Sequence, residues 1–204
     1  MRVAALYDVH GMPWALDTVL AEIDAEAIVI GGDFFGGPYD EETYERILSL
    51  DATVIRGNAE NEDPRTASLP LTAELDGVVY CHATPTSNTP ITTVFTPDDD
   101  LLAMFGERGI FVIGHTHHQF DRRVGDLRVV NAGSVGMPYE GRVAAFWTLI
   151  VDGEPQFRAS EFDIGTALER IRASGWEGGE AFIAENLLVA VDRNDAARYF
   201  ESQR

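Results

Sequence analysis

The sequence has no lysine, a single cysteine and no long apolar run. Without lysine there is no Schiff-base nucleophile, no lysine general base and no phosphate-gripping lysine of a Walker loop. Cys81 alone closes no intramolecular disulfide and offers no paired-thiolate site, so a reducing, cytoplasmic compartment is expected. The longest apolar stretch, Val143–Val151, falls far below the roughly 18 residues of a membrane span. The N-terminal apolar run ends at Asp8, too early for the core of a secretion signal. Cations are scarce as well: all 15 basic residues are arginine, against 34 acidic ones, for a net charge of −19. That balance argues against polymeric nucleic acid or a membrane surface as partner, since both are bound through surplus cations.

What remains is the composition of a folded chain, with 45% hydrophobic and 10% aromatic residues over 204 positions. A single domain over 1–204 is expected, with residues from about 152 to the end as a helical appendage packed on it. Short β-branched runs bounded by Gly, Pro, Asn or Asp predict strands at Val3–Tyr7, Ala27–Gly31, Thr53–Arg56, Val78–Cys81, Ile110–Ile113, Leu127–Asn131 and Val143–Val151. Pro13 followed by Ala15, Leu16, Val19, Leu20 and Ile23 predicts a helix, as does Asp40–Leu50. Alternating strand and helix imply an α/β sheet with parallel pairing. The Val124–Gly125–Asp126 turn implies an antiparallel addition. The stretch His82–Asp100 has no regular period and reads as a functional loop, and later helices are expected around Ile164–Ile171 and Ala181–Val191.

The polar chemistry sits just beyond the strands. In order come Asp8-Val9-His10-Gly11, Gly32-Asp33, Gly57-Asn58, His82 and Gly114-His115-Thr116-His117. One sheet edge would collect two Asp, one Asn and four His, and the carboxyl edge of an open α/β sheet is where ligands bind. Oxygen and imidazole donors without thiolate suit Mn²⁺, Zn²⁺, Fe or Ni²⁺. Seven ligands exceed one tetrahedral ion but suit two divalent ions that share a carboxylate, a geometry used to bind both oxygens of a phosphoryl transfer. The ions outweigh the two aspartates, so an acidic protein still offers an anion a positive pocket.

These residues resemble the calcineurin-like metallophosphoesterases, in particular the small single-domain bacterial and archaeal phosphodiesterases. The resemblance rests on DVHG, GGDFFGG, RGNAEN, CHATP and GHTHHQF, in that order, and on the trailing VVNAGSVGMP. It implies a four-layer α/β/β/α sandwich with two mixed β-sheets. It also implies one metal on Asp8, His10, Asp33 and His117, and a second on Asp33, Asn58, His82 and His115, with Asp33 bridging and Mn²⁺ the first choice of ion. The implied reaction is attack of a metal-bridging hydroxide on a small phosphodiester, a nucleotide among the candidates, with Asn58 and His82 as the catalytic side chains. The alternatives are a phosphomonoesterase or protein phosphatase, and a non-catalytic regulatory protein that binds metal and nucleotide.

One departure from the family pattern bears on chemistry. Where many relatives carry a histidine after the asparagine, a suspected general acid, this chain has Ala59, followed by Glu60. Loss of a positioned acid lowers the rate by roughly 10²–10⁴ unless the leaving group is itself acidic. His118 is either a substitute acid or, by preference, solvent-exposed. Arg56 reaches either a substrate phosphate or a nearby carboxylate. Phe34–Phe35 either stack on a ring or place at least one phenyl in the core. Cys81 reads as a small buried strand residue, and Asp98-Asp99-Asp100 as an N-cap cluster ahead of a helix at Leu101–Phe105. Trp176 and Phe182 either cover the sheet or make a homo-oligomer.

Overall fold

The computed structural model describes residues 1–204. In chain order the elements are β1 (Arg2–Leu6), α1 (Pro13–Glu22), β2 (Ala27–Ile30), α2 (Asp40–Leu48), β3 (Thr53–Val54), β4 (Thr72–Leu75), β5 (Val78–Cys81), α3 (Asp98–Phe105), β6 (Arg108–Ile113), β7 (Phe120–Val124), β8 (Asp126–Asn131), β9 (Ala145–Val151), β10 (Glu154–Ser160), α4 (Ile164–Ser174), α5 (Gly179–Phe182) and α6 (Arg193–Glu201). A π-helical turn, Ile183–Leu187, continues α5. No helix is long and apolar enough to cross a membrane.

Two five-stranded mixed sheets face each other, ordered β10-β9-β1-β2-β3 and β4-β5-β6-β8-β7. Strand β1 shows why they stack. Its side chains alternate between faces, and both faces are buried: Ala4 and Leu6 join the helix-side core with Leu16, Val19 and Ile171, while Val3, Ala5 and Tyr7 meet Tyr80, Val112 and Val130 of the other sheet. The outer face of the second sheet is covered by Leu101 and Phe105 of α3. The result is the expected α/β/β/α sandwich.

The pairing brings the loops together. Strands β1, β2 and β3 run parallel, and so do β5, β6 and β8. Each sheet therefore releases three chain segments from carboxyl ends at one edge, and these carry Asp8, Asp33, Asn58, His82, His115 and His117.

Several local expectations change. Strand β3 has two residues because its neighbour Arg56 donates its backbone N–H to Pro70 outside the sheet. Strands β4, β7 and β10 lie outside the predicted set. Strand β10 carries Pro155 and pairs only with β9, and edge strands tolerate proline. The helical tail thus begins at Ile164, since 154–160 completes the first sheet. Helix α3 starts at Asp98, so the three aspartates occupy its first turn without capping it. There they complement the helix dipole, while Asp98 pairs with Arg122 and Asp100 with Arg204. Helix α6 lies outside the predicted set as well. Phe182, 4% exposed, packs in the helix-side core beside the half-buried Trp176, so the pair covers the sheet within one chain.

Candidate metal centre

The strand-end loops gather two groups of possible ligands, Asp8, His10 and His117 in one, and Asp33, His82 and His115 in the other. Within them Asp8 Oδ1 lies 3.4 Å from His117 Nε2, 3.9 Å from His82 Nε2 and 4.0 Å from His10 Nε2. Asp33 Oδ1 lies 3.4 Å from His82 Nε2, and Asn58 Oδ1 lies 3.1 Å from the same nitrogen. All seven expected residues are brought to this edge. Asp33 falls in the second group, and its charge also acts on His10 of the first.

Main-chain carbonyls fix the imidazoles. His10 Nδ1 donates to Phe35 O at 3.0 Å, His117 Nδ1 to Met137 O at 2.8 Å and His82 Nδ1 to Gly31 O at 2.9 Å. A carbonyl only accepts, so each neutral ring must carry its proton on Nδ1 and present a lone pair at Nε2. His115 is turned the other way: Nε2 donates to Thr89 O at 3.1 Å, leaving Nδ1 as the free atom. The outcome is a convergence of lone pairs. His10 and His117 bring their Nε2 atoms to 3.2 Å, and Asp8 Oδ1 beside them is buried without any hydrogen-bond partner. Such an arrangement can hold a cation between the atoms, and the nitrogen and oxygen donors fit divalent transition metals.

Electrostatics agree with the geometry. Burial opposes ionisation of Asp8, but His117 and His82 hold its carboxyl below the ordinary range. Asp33 is held low in the same way, with His82 acting against its burial. At His82 burial disfavours the imidazolium, yet Asp33 and Asp8 outweigh it and lift the pKa to about 9. His115 is pushed down to about 4 by burial and by the neighbouring His82.

The backbone is strained where the ligands sit. Asp8, His10, Asp33, His115 and His117 all have positive φ, between 46° and 69°. Left-handed backbone at non-glycine residues clusters at functional sites. Motif glycines make the close approaches possible: a Cβ on Gly57 would stand 2.2 Å from Asp33 Oδ1, and one on Gly114 would stand 2.5 Å from Asp8 Oδ2.

Some supporting residues escaped the sequence reading. Glu60 is fully buried and accepts four backbone N–H groups, from Asp33 (2.8 Å), Phe34 (2.9 Å), Phe35 (3.1 Å) and Gly57 (2.8 Å). It clamps the loop of Asp33 to the loop of Asn58. Burial and the nearby Asp33 charge push its pKa up to about 7. Asn131 donates to Gly114 O at 2.6 Å and Ser134 to Asp8 O at 2.8 Å, which gives the VVNAGSVGMP segment its task of tying the last motif loop to the first. Asn131 closes β8 and Ser134 follows it within that segment, whereas nothing in the sequence pattern marks Glu60.

Other candidates leave the site. His118 is buried, not exposed: Nδ1 donates to Thr116 O at 2.7 Å, its ring packs on Phe120, and burial lowers its pKa to about 4. Arg56 forms no ion pair and donates to Ala67 O at 3.3 Å. Phe34 and Phe35 are both in the core. Cys81 is buried as expected, and burial raises its thiol to about 12. Ala59 contributes only its backbone, donating N–H to Asp33 Oδ1 at 2.8 Å.

Residues 1–154 match the model of the calcineurin-like phosphoesterase superfamily domain, and the chain belongs to that superfamily. Among solved structures, a metallophosphoesterase from Sphaerobacter thermophilus superposes with a TM-score of 0.78 at 20% identity, covering 94% of this chain and 99% of that one. The hypothetical protein PH1004 from Pyrococcus horikoshii OT3 gives 0.74 at 18%, covering 91% and 98%. Yfce, a phosphoesterase from E. coli, gives 0.52 at 21%, covering 79% and 100%. At these identities the likeness is one of fold. No curated protein matches the sequence.

Proposed function

We propose that the protein hydrolyses phosphodiester bonds in small substrates, with Mn²⁺ as the first-choice ion and Fe, Ni²⁺ or Zn²⁺ as competitors. Asp8, His10, His117 and Asp33 would hold one ion, and Asp33, Asn58, His82 and His115 the other. The observation that carries this reading is the buried, unpartnered Asp8 Oδ1 among the Nε2 atoms of His10, His82 and His117. Bound divalent ions supply positive charge for phosphate oxygens and acidify water.

The chain's own groups do the rest. The Nδ1 bonds to Phe35, Gly31 and Met137 orient the rings before any ion arrives. Glu60 keeps Asp33 and Asn58 in register. Asn58 turns Oδ1 toward His82, which leaves its amide N–H₂ to donate to a phosphoryl oxygen. Neither Ala59 nor the buried His118 offers a proton to the departing oxygen, which favours substrates with acidic leaving groups.

The test compares kcat/KM on bis(p-nitrophenyl) phosphate and p-nitrophenyl phosphate after loading with Mn²⁺. Preference for the diester supports the proposal, and preference for the monoester replaces it with a phosphomonoesterase. Ala59 also motivates a regulatory reading, in which ions bind without turnover. Hydrolysis that is unchanged in Asp8→Asn would belong to a contaminant and move the balance to that reading.

A further inference from the structure

A cavity of about 370 Å³ lies beside the metal centre, between the 137–139 loop and the C-terminal segment. Three aromatic rings, Tyr139, Tyr199 and Phe200, form its apolar wall, and Glu185, Asn186 and Asp195 form its polar edge. One ring separates the cavity from the nearest ligand. The Tyr139 ring stacks on the imidazole of His117 at 5.1 Å and 21°, and Met137, another wall residue, holds His117 Nδ1 through its carbonyl. Residues 185–200 lie beyond the 1–154 span of the superfamily domain, so the C-terminal segment adds this pocket to it.

The polar edge has one character. Glu185 and Asp195 are carboxylates, with Arg198 at 3.7 Å from Asp195. Asn186 is 6% exposed, donates its amide N–H₂ to Phe182 O at 3.2 Å, and has no intrachain partner at Oδ1. No arginine lines the cavity. An edge of acceptors repels phosphate and carboxylate and matches a ring that carries N–H donors. The aromatic wall suits a flat ring, since base-to-aromatic stacking tolerates any π-face. The volume is within the usual range of small-molecule sites, roughly 300–1,000 Å³.

We propose that this cavity receives an amino-bearing heteroaromatic ring, the base of a nucleotide-like phosphate ester whose phosphate lies at the metal centre. The proposal rests on the phosphoesterase reading above and names its substrate class. Tyr199 is the residue to test, because it is 64% exposed and its removal leaves the core intact.

Two measurements decide it, and the first needs no turnover. Calorimetry with the purified protein in Mn²⁺ should show adenosine binding, with purine riboside, which lacks the amino group, about tenfold weaker. Tyr199→Ala should weaken adenosine by about tenfold. No adenosine binding, or equal binding to wild type and Tyr199→Ala, would overturn the proposal. The second compares the p-nitrophenyl ester of adenosine 5′-phosphate with methyl p-nitrophenyl phosphate, which share a leaving group. The adenosine ester should have the higher kcat/KM, and Tyr199→Ala should shrink that ratio by about tenfold. A ratio near one in wild type overturns the base pocket while the phosphoesterase reading stands. Failure to hydrolyse either ester counts against the phosphoesterase reading, and adenosine binding then decides the pocket alone.

Discussion

The group Asp8, His10 and His117 and the group Asp33, His82 and His115 meet at one edge of the sandwich but are held there by different means. In the first, all three residues are buried, and both imidazoles are fixed by carbonyls of the strand-end segments, Phe35 and Met137. In the second, His115 is less buried and rests on Thr89 O in the irregular segment after β5. That segment is tied in turn to α6, where Glu201 accepts from Thr93 Oγ1 at 2.6 Å and Thr96 Oγ1 at 3.2 Å. Main-chain carbonyls fix both imidazoles of the first group, whereas His115 of the second answers to a loop that is tied to the C-terminal helix. The first should therefore bind its ion more tightly and exchange it more slowly.

Breaking the first group should have the largest effect. Asp8→Asn removes the carboxylate that faces three imidazoles, and kcat/KM should fall by about 10³-fold or more. Metal analysis should find one ion fewer per chain. Glu60→Gln comes next, because an amide N–H₂ then faces backbone donors that now meet carboxylate oxygen. Cation affinity should drop by about 10–100-fold, the second group suffering first, as read by isothermal calorimetry.

The third effect is one of pH. In the metal-free protein His82 has its pKa raised from 6.5 to about 9 by Asp33 and Asp8, against its burial. The charged imidazolium therefore stabilises the metal-free fold fully below pH 6.5, and that contribution is lost as pH rises through 9. An ion needs the neutral ring and must displace that proton. Between pH 7 and 9 the affinity of the second group should rise by about tenfold per pH unit and then level off. The first group should show a smaller step, since His82 acts on Asp8 only across 3.9 Å. The smallest effect is expected from Glu201→Ala, which frees the Thr93–Thr96 segment without touching a ligand. Affinity of the second group should fall a few-fold and that of the first should not change, which competition with a chelator can read. Equal losses in both groups would remove the distinction between them.

The same contrast appears in what the sequence makes legible. Ligand loops follow β-branched runs and carry residue types that only metal or catalytic chemistry explains together, so Asp8, His10, Asp33, Asn58, His82, His115 and His117 are readable without coordinates. Their support is not. Glu60 acts through four backbone donors that pattern reading does not see. The left-handed backbone of five ligand residues has no signature beyond the tolerance of Asp and His for it. His118 shows the cost of arguing from adjacency: one residue past a ligand, its ring is buried against Phe120. The C-terminal half of the cavity was hidden for another reason. Helix α6 has a polar sequence with two fully or nearly buried alanines, Ala196 and Ala197, so its apolar stripe is too thin to announce a helix.

The most direct measurement is an anomalous-scattering crystal structure of the protein loaded with Mn²⁺. Two peaks per chain are expected, one among Asp8, His10 and His117 and the other among Asp33, Asn58, His82 and His115, with Asp33 reaching both. Peaks confined to surface carboxylates, or none at the strand-end loops, would contradict the account.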